Sequence, residues 1–296
     1  MLKFTQTIHA LFLGTSLFVL SAFLTPILAE TITHKIDALN LTAQAEYSKG
    51  DDNKPAVLII HGFLTTHNFH TITSFSQGLK EEGYTVLTPT LTLGINLRKQ
   101  SLKCNAVHTH TLEDDMTEVE SWVKWLETQG KKEVVVVGHS SGSHPILSML
   151  QQKAVPNVKL AIFTSLFFLS GDELGTLPSA LAQAKHALAD NDQTPYKYSF
   201  LFCENNYYAT AKSFLSYHKL TRPHVLNELK SLTIPHYTIM GESDKRYPKV
   251  GGDWLSQLHQ TGTKLIVIKG ANHFFSSEHE FELQEQLVDI IKRNMS

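Results

Sequence analysis

Four valines stand in a row at Val134 to Val137, and such a run leaves few folds open. A strand with one wet face alternates apolar and polar residues. An unbroken β-branched run needs cover on both faces, which is the situation inside a parallel sheet. AVLII (56–60) and VKLAIFTSLFFL (158–169) repeat the signal. YTVLTP (84–89), PHYTIM (235–240) and KLIVIKG (264–270) add three more strands, and 32–49 alternates weakly as leading strands. Helical stripes fall between them. Ile72, Phe75 and Leu79 recur at helical spacing up to Gly83. Met116, Val119, Trp122, Val123 and Leu126 do so up to Gly130, after a capping-box-like start at Thr111 and Asp114. HPILSMLQQ (144–152) reads as another helix, and Phe281, Leu287, Ile290 and Ile291 mark a last one. Strands alternating with helices in this way predict an α/β protein with a mostly parallel central sheet and helices on both faces.

Two segments break the rhythm. Residues 172–232 carry no strong strand signal and are rich in Ala, Leu, Tyr and Phe; we expect a mostly helical cap insertion. Residues 1–29 hold one charge, Lys3, before an apolar stretch at 10–24 and a cleavage pattern ending at Ala29. This is the plan of a signal peptide, and it implies export to the periplasm or medium. An uncleaved membrane anchor is the alternative, although about 15 apolar residues fall short of the ~20 a spanning helix needs. The folded part is then 30–296, with no stable membrane span once the signal is gone. In an oxidising compartment Cys104 and Cys203 can form a disulfide; otherwise they are two small buried apolar groups. A formal charge of −2, without a basic stripe, gives no reason to expect a nucleic-acid partner.

The valine run ends in Gly138-His139-Ser140-Ser141-Gly142, a G-x-S-x-G pattern. The pattern alone is common. Placed between a buried strand and a helix, it is the sequence of a sharp turn that holds a serine out for attack. Glycines two residues to either side remove the side chains that such a bend would crush.

On these residues the chain resembles the α/β-hydrolases over most of 50–296. The resemblance implies a serine hydrolase without a cofactor, acting on a small-molecule acyl substrate. It assigns Ser140 as nucleophile, Asp244 in IMGESDKRYP (239–248) as orienting acid, and His273 in KGANHFF (269–275) as general base. The backbone N–H groups of Phe63, in HGF (61–63), and of Ser141 would form the oxyanion hole. Glu242 and Asp172 are alternative acids. The substrate's acyl group belongs to a carboxylic ester, with a thioester, lactone or amide as variants. The same fold also serves binding proteins with no catalysis, and filled positions for all three catalytic side chains argue against that reading here.

HTHTLEDD (108–115) gathers His108, His110, Asp114 and Asp115. His-x-His beside carboxylates suits a transition metal and a metal-assisted hydrolase. Acids at a helix start have an ordinary explanation, so we expect no metal. The loop follows the carboxyl end of a strand, where open α/β sheets bind ligands. His108 and His110 are therefore candidates for the substrate mouth, as are His61 and His139, with His61 read first as a structural hydrogen-bonder.

Overall fold

The computed structural model describes residues 29–295. The signal-peptide reading of 1–29 thus lies almost wholly outside the described residues. Two strands lead, β1 (Glu30–Ile36) and β2 (Leu41–Ser48). There follow β3 (Ala56–Ile60), α1 (His70–Glu81), β4 (Thr85–Thr90), α2 (Leu112–Thr128), β5 (Val134–His139), α3 (Ser143–Gln152) and β6 (Val158–Thr164). Next come α4 (Pro178–Ala189), β7 (Tyr196–Phe200), β8 (Cys203–Ala209), α5 (Ala211–His218) and α6 (Arg222–Lys230). The chain closes with β9 (His236–Gly241), the short α7 (Tyr247–Val250), α8 (Trp254–Gln260), β10 (Lys264–Ile268) and α9 (His279–Asn294).

Eight strands form one sheet in the order β1-β2-β4-β3-β5-β6-β9-β10. β1 and β2, and β2 and β4, pair antiparallel; every other pairing is parallel. The central strands explain their composition. In β5, Val134 and Val136 face one apolar layer with Trp122 of α2 and Leu147 of α3. Val135 and Val137 face the other layer, with Phe75 of α1 and Leu287 of α9. Alternate side chains enter opposite cores, so all must be apolar. The expected cap on α2 is present: Thr111 Oγ1 accepts the Asp114 N–H at 3.2 Å, and Asp114 Oδ2 accepts the Thr111 N–H at 2.8 Å.

The structure corrects three details. Residues 172–232 hold the expected helices α4, α5 and α6 and, beyond the expectation, an antiparallel hairpin of β7 and β8 between α4 and α5. Its buried residues, Tyr198, Phe200, Cys203, Tyr207 and Ala209, follow a period of two that composition averaged over sixty residues hides, and Tyr and Phe favour strands. The apolar run 158–169 is strand only to Thr164, because Ser165 turns into the left-handed region at φ 50°. Phe281 lies on the wet face of α9, 70% exposed, and Leu283 takes the core position. Six residues from 281 to 287 rotate a helix too far to share a face, whereas 283, 287, 290 and 291 share one.

Cys104 and Cys203 are joined by a disulfide. Backbone bonds reinforce it: Tyr208 N–H donates to Cys104 O, His108 N–H to Tyr208 O, and Thr210 N–H to His108 O. The loop between β4 and α2 is thereby stitched along β8. Among the described residues no helix is long and apolar enough to cross a membrane.

Candidate active site

Ser140 follows directly on β5, at the carboxyl end of the sheet, with φ at 54°. A side chain in that left-handed region is strained. Neighbouring elements enforce it. A Cβ at position 142 would lie 2.2 Å from His61 O, and one at 138 would lie 2.5 Å from Ser143 Cα. Both obstacles are backbone, so only glycine lets β5 turn this tightly into α3.

Two other strand ends converge on the turn. Asp244 follows β9, and His273 follows β10. Ser140 Oγ donates to His273 Nε2 at 2.9 Å, and His273 Nδ1–H donates to Asp244 Oδ2 at 2.6 Å. All three residues are buried. Asp244 Oδ1 accepts the Arg246 N–H at 2.9 Å, which fixes the carboxylate plane. Ser165 Oγ donates to His273 O at 2.7 Å and anchors the histidine loop. Burial holds the His273 imidazole below its ordinary pKa, against the opposing pull of the Asp244 hydrogen bond. The ring is therefore neutral at neutral pH, with Nε2 free to take a proton.

The alternative acids lie elsewhere. Glu242 accepts the Gly270 N–H at 3.0 Å, and Asp172 is exposed in the turn before α4.

Beside the turn opens a narrow, partly enclosed cleft. Phe63 and Ser141 line it together with Leu64, Leu91, Pro145 and Leu169. The Phe63 ring packs edge-on against Phe200 and Phe202 of the hairpin, at 5.5 and 5.3 Å between centroids. Among the described residues the Phe63 N–H makes no turn or loop hydrogen bond.

The four other candidate histidines fall into two pairs. His61 is buried with its Nε2 accepting the Leu91 N–H at 3.0 Å and its Nδ1–H donating to Gly62 O at 2.8 Å. Burial and Arg98 hold its pKa down to about 3; the ring braces the β3 and β4 loops as a neutral group. His139 is buried under the turn, Nδ1 2.9 Å from Thr164 Oγ1. It does not line the cleft. His108 stacks on Tyr207 at 4.5 Å and bonds back to Cys104 O at 3.2 Å. His110 does line the cleft, as does Asp115. Asp114 is spent on the helix cap and His108 on Tyr207 and Cys104, so only His110 and Asp115 of the 108–115 run reach the cleft.

Sequence reasoning missed Arg98 and Tyr217. Arg98 is buried without a carboxylate contact; it donates to Leu91 O, Gln100 O and Thr65 O. Nothing in its loop distinguishes it. Glu118 had a signal, an acid on the apolar stripe of α2. Its carboxylate accepts the Thr92 N–H and hydroxyl, and burial raises its pKa to about 7.

This fold and constellation define a hydrolase-like α/β protein, and comparison makes the class definite. The alpha/beta hydrolase family model matches residues 57–283, and the chain belongs to that family. No curated protein matches the sequence. Among solved structures it is similar to Est1E from Butyrivibrio proteoclasticus with ferulic acid bound, at 17% identity and a TM-score of 0.63, covering 89% of this chain and 99% of that one. It is similar to the Pyrococcus furiosus esterase Pf2001, at 17% identity and 0.62, covering 91% and 92%. It is also similar to the alpha/beta hydrolase GrgF from Penicillium sp. sh18, at 15% and 0.68, covering 90% and 99%.

Proposed function

We propose that the chain is a serine hydrolase that cleaves carboxylic esters through an acyl-enzyme. The observation that carries this is the unbroken relay from Ser140 Oγ through His273 to Asp244, at 2.9 and 2.6 Å. In the first half-reaction Ser140 Oγ attacks the ester carbonyl while its proton passes to His273 Nε2. The Phe63 and Ser141 N–H groups receive the developing oxyanion. Asp244 holds the tautomer and stabilises the imidazolium. The C–O bond to the alcohol breaks, and His273 returns the proton to that oxygen. In the second half-reaction water gives its proton to His273 and attacks the acyl carbon. The acid leaves as the Ser140 hydroxyl is restored. The esterases among the similar structures support an ester as the scissile bond. Residues 172–232 act as a cap over the cleft.

The N-terminal apolar segment and the disulfide together support export, since such bonds persist in oxidising compartments.

A fluorophosphonate probe tests the reading. It should label the folded protein, and Ser140→Ala should abolish both labelling and hydrolysis of a 4-nitrophenyl ester. Labelling or turnover that survives Ser140→Ala would refute it.

A further inference from the structure

The cleft beside Ser140 has mostly apolar walls, with His61 and Ser141 in its lining and a further polar group gathered at one place. His110 and Asp115, at the start of α2, and Tyr217 of α5 meet there. They are 5%, 6% and 8% exposed. Tyr217 Oη donates to Asp115 Oδ2, and the Tyr217 and His110 rings pack edge-on at 5.6 Å. His110 Nδ1 has no hydrogen-bond partner among the described residues, and Tyr217 is the sole side chain donating to Asp115. Buried polar groups left short of partners are costly alone, and they select a ligand that completes them.

The position of the cleft says which half of an ester enters it. His273 must reach the leaving oxygen, and neither His273 nor Ser140 itself lines the cleft. Phe63 and Ser141, the residues assigned to the oxyanion, do. The leaving alcohol therefore sits on the histidine side, and the cleft takes the acyl group.

We propose that His110, Asp115 and Tyr217 form a polar end to the acyl pocket, selecting acyl groups that carry a neutral hydroxyl on an aromatic ring. This rests on the serine hydrolase reading above. Phe63 and Phe200 supply aromatic walls for the ring, and Leu91, Leu93 and Leu169 fill the sides. The electrostatics fit an uncharged partner. Burial pushes the Asp115 carboxyl well above the usual range, toward its uncharged form. Burial likewise holds His110 neutral, with its pKa down to about 3. A carboxyl held toward its uncharged form and a neutral imidazole can each hydrogen-bond a hydroxyl without a net charge to balance.

The test compares two 4-nitrophenyl esters with the same leaving group, 3-(4-hydroxyphenyl)propanoate and 3-phenylpropanoate. The wild type should prefer the hydroxylated ester by about tenfold or more in kcat/KM. Asp115→Leu should bring that ratio close to one, and Asp115→Asn, uncharged and still able both to donate and to accept, should keep most of it. His110→Leu, which leaves the Asp115–Tyr217 pair intact, should also shrink the ratio and serves if Asp115→Leu does not fold. Equal rates on both esters in the wild type, or a ratio unchanged in the Leu variants, would overturn the proposal while leaving the hydrolase reading intact. A stronger preference for the 4-aminomethyl analogue would overturn the hydroxyl in favour of a cation. Hydrolysis of none of these esters or of short-chain esters would instead count against the hydrolase reading itself.

Discussion

The sheet end and the insertion build the same cleft by different physics. At the sheet end, Ser140, Asp244 and His273 each follow the carboxyl end of a parallel strand, β5, β9 and β10. Their spacing is set by strand register, and the strain at Ser140 is held by backbone contact at Gly138 and Gly142. Across the cleft, Phe200 and Tyr217 come from the hairpin and α5. These are held to the β4–α2 loop by the Cys104–Cys203 disulfide and a short backbone ladder. A regular sheet fixes reacting atoms closely and allows little variation. A tethered insertion shapes what reaches them and can vary without touching the relay. Damage to the sheet end should therefore fall on every substrate alike, and damage to the insertion on the choice among substrates.

The sharpest break in that contrast is Ser140→Ala. We expect kcat/KM to fall by about 10⁶-fold for all esters, with thermal unfolding nearly unchanged. Asp244→Asn should follow, with a loss of about 10⁴-fold from the wrong imidazole tautomer. It too should be uniform across acyl groups, and a loss concentrated in one class of acyl group would break the division. Gly142→Ala drives a methyl into His61 O and should cost about 1–3 kcal/mol in denaturant unfolding, together with activity on every ester.

On the insertion side, Cys104→Ser with Cys203→Ser opens a covalent loop of sequence separation 99. Stability should drop by about 2–4 kcal/mol, read from denaturant unfolding. Turnover of a small acetyl ester should persist while discrimination among larger acyl groups weakens. Loss of all turnover in a folded double variant would mean that the two regions are not separable. The smallest effect is in pH. The working form of His273 is neutral and burial lowers its pKa, so protonation sets in only below the ordinary histidine value. The kcat/KM profile should be flat near pH 7 and fall on the acid side with an apparent pKa below about 6.5. An acid limb above that value would mean that the Asp244 hydrogen bond outweighs desolvation.

The two regions also differ in how far the sequence reveals them. Runs such as Val134 to Val137 state their own burial, because a parallel sheet asks the same of each residue. The turn after them was legible since its constraints are local: two glycines, a serine, a strand before and a helix after. Asp244 and His273 came from the family resemblance, which expects an acid and a histidine after the last two strands and left Glu242 and Asp172 open as acids. The hairpin was hidden because its burial depends on a partner strand three to thirteen residues away and on the loop that covers its edge. Arg98 was hidden for a similar reason: besides His61 Nε2, its partners are carbonyls of Thr65, Leu91 and Gln100, and backbone acceptors leave no mark in a sequence. Tyr217 reads as one aromatic among many until α5 sets it against Asp115 of α2. Strand periodicity is a property of the chain itself, whereas cleft walls are agreements between distant segments.

The central claim is that Ser140 carries the acyl group between two half-reactions. Acid-quenching a millisecond-scale reaction with a 4-nitrophenyl ester, then mapping the mass of the digested protein, tests it directly. The account predicts one acyl adduct, on the peptide containing Ser140, formed as fast as the burst of 4-nitrophenol. Steady turnover with no adduct, or with the adduct on another residue, would contradict it.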